Sequence, residues 1–265
     1  MSRARLVIIG GGNMGTALVG GLIHGGWNPS TITVVEIDSA KRAALEAVYG
    51  VQTSDQIVEA DGALIAVKPA DAVAVCASAV TAGVPRILSI AAGVSVSALE
   101  KASGASAVVV RAMPNTPALV REGVTAICGS SACSEADFEW AESVLTAVGV
   151  VVRVPESQMD VVTAVAGSGP GYIFLLAEAL LDAATAHGLP ADVADTLVRQ
   201  LFRGAGVLLA ESTESPATLR ERVTSPNGTT AAGLAQFEAA GLRETVNKVV
   251  AAAAARSAEI GQSTS

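Results

Sequence analysis

Gly10, Gly12 and Gly15 stand in the run Gly10-Gly11-Gly12-Asn13-Met14-Gly15, directly after the apolar stretch at residues 6–9 and before a helical pattern. That order suits a strand–turn–helix unit in which one glycine makes a tight turn, one lets backbone approach a pyrophosphate, and one lets helix pack on strand. The helix start then offers unpaired N–H groups and the positive end of its dipole to phosphates. Glycine turns also occur for structural reasons alone, but this position favours a dinucleotide. About 20 residues further on, Glu36 sits near the end of a second apolar run, where a carboxylate accepts a ribose 2′-hydroxyl and repels a 2′-phosphate. Electrostatics there lean to NAD, and Asp38 adds a second negative group. Lys41 and Arg42 are the cations that could instead serve a 2′-phosphate.

A second constellation lies far along the chain: Ser225-Pro226-Asn227-Gly228-Thr229-Thr230, followed by alanines. Ser225 and the N–H groups of Gly228, Thr229 and Thr230, ahead of a helix with small side chains, suit a carboxylate. Serine and threonine before alanine-rich sequence are also ordinary helix caps. Together with a dinucleotide turn, the binding reading is the stronger. The chain has only two histidines, His24 and His187, and three cysteines without CxxC spacing, so no metal site or disulfide framework is expected. Nor is there a Ser/His/Asp pattern. Hydride transfer needs none of these, because its rate gain comes from alignment of donor and acceptor.

Composition narrows the class. Residues of apolar type make up 51% of the 265 and charged ones 16%, which leaves much interior to fill. The net charge of -8, with no basic run, argues against nucleic acid. No secretory leader pattern opens the sequence, and apolar runs such as residues 249–255 fall short of the ~20 needed to cross a bilayer. A cytoplasmic protein with no membrane partner is expected.

The elements that must position these groups change character along the chain. Apolar, β-branched runs at 6–9, 32–37, 63–67, 87–91, 108–110, 124–128 and 150–154 read as strands buried on both faces. Helical stretches at 16–24, 40–48, 70–82 and 95–103 alternate with them, and another starts at Ser134, whose hydroxyl can cap it with Asp137 three residues on. This predicts an α/β fold, an N-terminal Rossmann-type doubly wound sheet over residues 1–155. From 156 to 265 the pattern is all-α, with helices at 172–187, 191–211, 217–223, 230–239 and 242–260. Their apolar surface exceeds what one core needs, so a homodimer is expected.

Four segments, namely the turn at 10–15, Ala66-Val67-Lys68-Pro69, Met113-Pro114-Asn115-Thr116-Pro117 and Gly167-Ser168-Gly169-Pro170 with Tyr172, resemble one family when joined by the segment at 223–230. It is that of the pyrroline-5-carboxylate reductases, and the resemblance runs along essentially the whole chain. The turn and the Val-Lys-Pro segment are shared with other reductases; the Ser-Pro-x-Gly-Thr-Thr segment is far more specific. The resemblance implies reduction of 1-pyrroline-5-carboxylate to L-proline by hydride transfer from NADPH or NADH, the last step of proline biosynthesis. It implies a helical dimerisation domain with the substrate pocket near the dimer interface, and it allows larger rings of dimers. By similarity, Gly10, Gly12, Asn13, Met14, Gly15, Glu36, Val67, Lys68 and Pro69 hold the cofactor, with Met113, Pro114 and Asn115 near the nicotinamide. Ser225, Gly228, Thr229 and Thr230 would bind the substrate, and Ser225 and Thr230 are the catalytic candidates, Thr230 meeting the ring nitrogen.

Two departures from the family pattern leave function intact: Asn227 replaces a usual glycine, and Gly171 a usual alanine. Asparagine is among the few other residues that accept a left-handed backbone. Many members prefer NADPH and carry another residue at the position of Glu36, so that preference is not transferred. Lys68 could be proposed as a general acid, yet its place at the end of a strand favours cofactor positioning. Rival readings are a dehydrogenase of similar architecture acting on an acyclic hydroxyacid or imine, and a non-catalytic NAD-binding regulator. The compact Ser-Pro-Asn-Gly-Thr-Thr segment argues for a small cyclic acid, and a mere sensor would need only the first domain's turn.

Overall fold

The computed structural model describes residues 5–104 and 106–263. Strands β1 (Leu6–Ile9), β2 (Ile32–Val35), β3 (Gln52–Ser54), β4 (Gly62–Ile65), β5 (Arg86–Ser89), β6 (Val108–Met113), β7 (Gly123–Gly129) and β8 (Gly149–Arg153) form one sheet. Its order is β3-β2-β1-β4-β5-β6-β7-β8. Neighbours run parallel except β6 and β7, which pair antiparallel with Ala112 opposite Ile127. Helices α1 (Asn13–His24), α2 (Ser39–Tyr49), α3 (Pro69–Thr81), α4 (Val96–Ser103) and α5 (Glu135–Leu145) complete the doubly wound layers.

Two buried clusters explain the continuous apolar runs. Leu6 and Ile8 of β1 join one with Leu18, Ile32 and Leu64, while Val7 and Ile9 join the other with Ile65, Ile87 and Leu99. A strand covered on both faces has no solvent side to mark with polar residues. Each fully buried Leu or Ile contributes roughly 1.5–3 kcal/mol, so the central strands anchor this unit. Strand β3 was not foreseen. It is a short polar edge strand pairing Gln52 with Thr33, and carries none of the apolar signal.

Packing divides the chain into two compact units: residues up to 168 together with those from 251 onward, and residues 169–250. This differs from the expected border at 155/156. The reason is that α6 (Met159–Val162) and the turn after it pack on the sheet: Met159 and Ala164 are fully buried. The carboxylate of Glu156 accepts from Arg111 Nη1 at 3.0 Å and from the Val96 N–H at 2.7 Å. Ser257 Oγ, in the returning end of α11 (Leu242–Ser263), donates to Asp160 Oδ1 at 2.7 Å.

The second unit holds α7 (Gly169–Ala186), α8 (Ala191–Glu211), α9 (Pro216–Arg222), α10 (Thr229–Ala239) and the start of α11. Within it, only Ala194 is buried among the apolar residues, while Phe174, Leu175, Leu201 and Leu208 are exposed. One helical stretch, 156–186, is long and apolar enough by length and composition to cross a membrane, although the sequence's uninterrupted apolar runs are shorter. An exposed apolar face accounts for the same property.

Candidate active site

The order of the sheet reverses at β1, which lies between β2 and β4. In open α/β sheets the crevice at such a switch point, outside the carboxyl ends of the strands, is where ligands bind. The glycine turn sits there. Gly10 has φ 113°, and a Cβ on it would come within 2.5 Å of the Ala66 carbonyl oxygen, so only glycine fits. A Cβ on Gly15 would run into the Gly10 carbonyl, whereas one on Gly12 would meet nothing within 4 Å. Thus Gly10 and Gly15 serve the turn and helix packing, and Gly12 faces room for an approaching group. Helix α1 begins at Asn13, not at Thr16 as expected, with Gly12 as an N-cap that has no side-chain bond. The first helical bond runs from Thr16 N–H to Gly12 O at 2.8 Å. The N–H groups of Asn13, Met14 and Gly15 therefore have no helical carbonyl to meet, which suits an anion. Met14's side chain packs on the sheet core, so its contribution is backbone.

A cavity of about 660 Å³ opens at this point, and Gly10, Gly12, Glu36, Lys41, Val67 and Lys68 are among its lining residues. Sequence-predicted residues from three separate segments are thereby brought together. Glu36 lies just past β2, its N–H bonded to the Ser54 carbonyl at 3.0 Å. Its carboxylate accepts from the Gly11 N–H and the Asp38 N–H, both at 3.0 Å. Lys68 is the N-cap of α3 and Pro69 its first residue, a position where the missing N–H costs nothing. Lys68 is exposed and lines the cavity wall. The residues fit a dinucleotide: a turn with open N–H groups for the pyrophosphate, a carboxylate for a ribose, and apolar walls.

Met113, Pro114 and Asn115 lie elsewhere, at the end of β6, with β4 and β5 between them and β1. At the usual strand spacing this is ~14 Å along the sheet's edge, a span suited to the far end of an extended dinucleotide. Asn115 is engaged at both ends of its amide. Its Oδ1 accepts from the Val124 N–H at 3.0 Å, and its Nδ2 donates to the Ala166 carbonyl at 3.2 Å. Ala166 belongs to a π-helical turn at Thr163–Gly167, an arrangement frequent at functional sites. A Cβ on Gly167 would come within 2.6 Å of Met113 Cε, so bare backbone there makes room for that side chain. Sequence reasoning missed the turn itself.

In the helical unit, residues 225–228 lead into α10, whose N-cap is Gly228 without a side-chain bond. Asn227 takes φ 57°, the left-handed conformation for which its residue type is suited. A Cβ on Gly228 would collide with Ser225 Oγ, so the glycine lets that hydroxyl sit against the helix start. The Gly228 N–H, expected to face a carboxylate, instead donates to the Ser225 carbonyl at 3.0 Å and closes the turn, and the first helical bond is Ala232 N–H to Gly228 O at 3.1 Å. The N–H groups of Thr229 and Thr230 therefore remain without helical carbonyls, with the Ser225, Thr229 and Thr230 side chains exposed beside them. Such a cradle can hold a carboxylate through N–H groups, hydroxyls and the helix dipole.

Comparison with known proteins agrees with both halves. Residues 156–260 match the family model for pyrroline-5-carboxylate reductase dimerisation, and residues 5–93 that for NADP oxidoreductase, coenzyme F420-dependent. A pyrroline-5-carboxylate reductase of Pseudomonas aeruginosa is 39% identical, over 99% of this chain and 98% of the relative. The structure of a pyrroline-5-carboxylate reductase from Coxiella burnetii superposes with a TM-score of 0.93 at 36% identity, covering 97% of this chain and 98% of that one. The Plasmodium falciparum pyrroline carboxylate reductase, crystallised with NADP bound, gives 0.85 at 27% identity, covering 98% and 99%. With its sheet crevice, its uncapped helix starts and near-complete coverage by these relatives, the chain belongs to the pyrroline-5-carboxylate reductase family.

Proposed function

We propose that this chain reduces 1-pyrroline-5-carboxylate to L-proline with NADPH or NADH, the closing step of proline biosynthesis. The observation that carries the reading is the start of α10, where open N–H groups and three hydroxyls stand where a small carboxylate can be held. Ser225 and the N–H groups of Thr229 and Thr230 bind the substrate carboxylate, the Gly228 N–H being held by the Ser225 carbonyl, and the Thr230 hydroxyl holds the ring nitrogen. The turn at Gly10, Gly12, Asn13, Met14 and Gly15, with Glu36, Val67, Lys68 and Pro69, holds the dinucleotide. Met113 and Pro114 border its nicotinamide end, and Asn115 braces that edge against the π turn. When bound, the reduced nicotinamide supplies a hydride to the imine carbon. The protonated ring nitrogen takes the C=N electron pair and keeps its proton, so Thr230 needs only to orient it. Alignment by fixed groups supplies most of the rate gain.

The helical unit dimerises, and its exposed apolar face, including the 169–186 part of that stretch, is covered by a second copy rather than by lipid. Glu178 and Asp182 within α7 would be costly in a bilayer. Larger rings would be built from that dimer. The reading places the chain among cytoplasmic biosynthetic enzymes, with no nucleic-acid partner.

Purified protein should consume NADH or NADPH only when pyrroline-5-carboxylate is added; no absorbance loss with either would remove the enzyme reading. Thr230→Ala should lower kcat by about tenfold to a hundredfold, the loss expected of one hydrogen bond to a charged group, with an unchanged melting curve. An unaltered rate would remove Thr230 from the mechanism.

A further inference from the structure

We infer that this chain selects NADH over NADPH, because Glu36 and Asp38 already hold the Gly11, Asp38, Ala40 and Lys41 N–H groups at the end of β2 and present their own charge to the ribose rim. The inference rests on reading the cleft at β1 as the dinucleotide site.

A 2′-phosphate beside the end of β2 could be received by three devices, namely backbone N–H groups of the turn, the start of α2, and a nearby guanidinium. Each is taken. The Gly11 N–H and the Asp38 N–H both donate to the Glu36 carboxylate. At the start of α2, the Ala40 and Lys41 N–H groups donate to Asp38 Oδ1 at 2.8 and 3.3 Å. Arg42 turns its Nη1 onto the carbonyl oxygens of Glu36, at 2.7 Å, and Ile37, at 3.0 Å. Its guanidinium thus holds the backbone after β2 in place and is not offered to the cavity. Lys41 and Lys68 line the cavity and make no ion pair among the described residues, so they are the cations at hand.

The chemistry at the rim then favours a hydroxyl. An ionised carboxylate is acceptor-only, and each Glu36 oxygen keeps room for a further donor after its backbone bond. The 2′-hydroxyl can donate there. A 2′-phosphate carries about -1.5 to -2 charge at neutral pH and would bring that charge against Glu36 and Asp38. Exposed ammonium groups offset this only in part, because an exposed Lys is strongly hydrated and screened. The apolar walls at Ile37, Ile57 and Val75 are indifferent to the phosphate, so they affect both cofactors alike.

The test is direct binding, without imine substrate, of NADH and NADPH to the whole protein by calorimetry, with 5′-AMP and adenosine 2′,5′-bisphosphate as probes lacking nicotinamide. NADH and 5′-AMP should bind at least about tenfold more tightly than their 2′-phosphorylated counterparts, from charge repulsion alone. Glu36→Gln keeps the side chain's shape and removes its charge, and it should shrink both ratios several-fold. NADPH binding as tightly as NADH would overturn the inference, as would an unchanged ratio in Glu36→Gln with a native melting curve. A selective loss of NADPH affinity in Lys41→Ala, from a wild type binding both equally, would show that Lys41 receives the phosphate and overturn it too. Failure of all four ligands to bind would instead remove the dinucleotide reading, and the inference with it.

Discussion

Asp137 shows how one side chain can hold an element start and a sheet edge at once. Its carboxylate accepts from the Ser134 N–H at 2.9 Å and the Ser134 hydroxyl at 2.6 Å, while Arg86 Nε donates to its other oxygen at 2.9 Å. The expected capping box is present at the start of α5, with the Ser134 side chain against the Asp137 N–H and Asp137 reaching back to the Ser134 N–H, and the Ser134 hydroxyl also donates to that carboxylate. Burial works against ionisation here, but the Ser134 and Arg86 bonds prevail and hold the carboxyl below its ordinary value. A depressed folded value stabilises the fold above the unfolded pKa of about 4, and that contribution is lost as pH falls through the folded value. Asp137→Asn should therefore cost roughly 1–2 kcal/mol at pH 7, allowing for Arg86 being partly exposed. The gap between wild type and variant, measured by urea unfolding, should narrow below about pH 4. A pH-independent gap would mean that shape rather than charge sets the effect. Nearby thiols carry no such role: burial pushes Cys76 and Cys128 up to about 11.

Among the elements, the loop before α10 makes the sharpest demand on its sequence. Asn227 at φ 57° tolerates the left-handed region, and a β-branched residue there would not. Asn227→Gly should leave stability and KM for pyrroline-5-carboxylate nearly unchanged. Asn227→Val should cost about 1–2 kcal/mol locally and raise that KM, since the loop must move to relieve strain. Equal KM values in the two variants would detach this loop from substrate binding. The loop was legible because a Ser-Pro-Asn-Gly run can hardly be anything but a turn. So were the central strands, whose two buried faces leave unbroken apolar runs. Other features left no such mark. Residues 163–167 fit ordinary helical periodicity, so the π turn is set by tertiary packing, with Asn115 holding the Ala166 carbonyl. The start of α1 was placed too late because Asn13 and Gly15 are weak helix formers. The engagement of Arg42 with two carbonyls could not be read from its type, since a surface arginine and a phosphate ligand look the same in sequence.

At the scale of the whole molecule, the two units differ in what holds them together. The sheet unit has two clusters of fully buried Leu, Ile and Val. The helical unit buries only Ala194 among its apolar residues, and leaves Phe174 66% and Leu208 57% exposed. Helices in water depend mainly on packing an apolar face, not on propensity. If the proposed dimer covers this face, the unit draws its stability from the second copy, and folding and dimerisation should be coupled there. Two consequences follow for one experiment. The melting temperature of the wild type should rise with protein concentration, as it does whenever only the folded state associates. Phe174→Asp should shift the mass by light scattering from dimer to monomer and abolish the concentration dependence. Its first unit, stabilised by its own core, should keep dinucleotide binding even as reductase activity falls. A variant that stays dimeric with unchanged melting would show that this part of α7 lies outside the interface. Loss of dinucleotide binding together with the dimer would show instead that the sheet unit also depends on the partner.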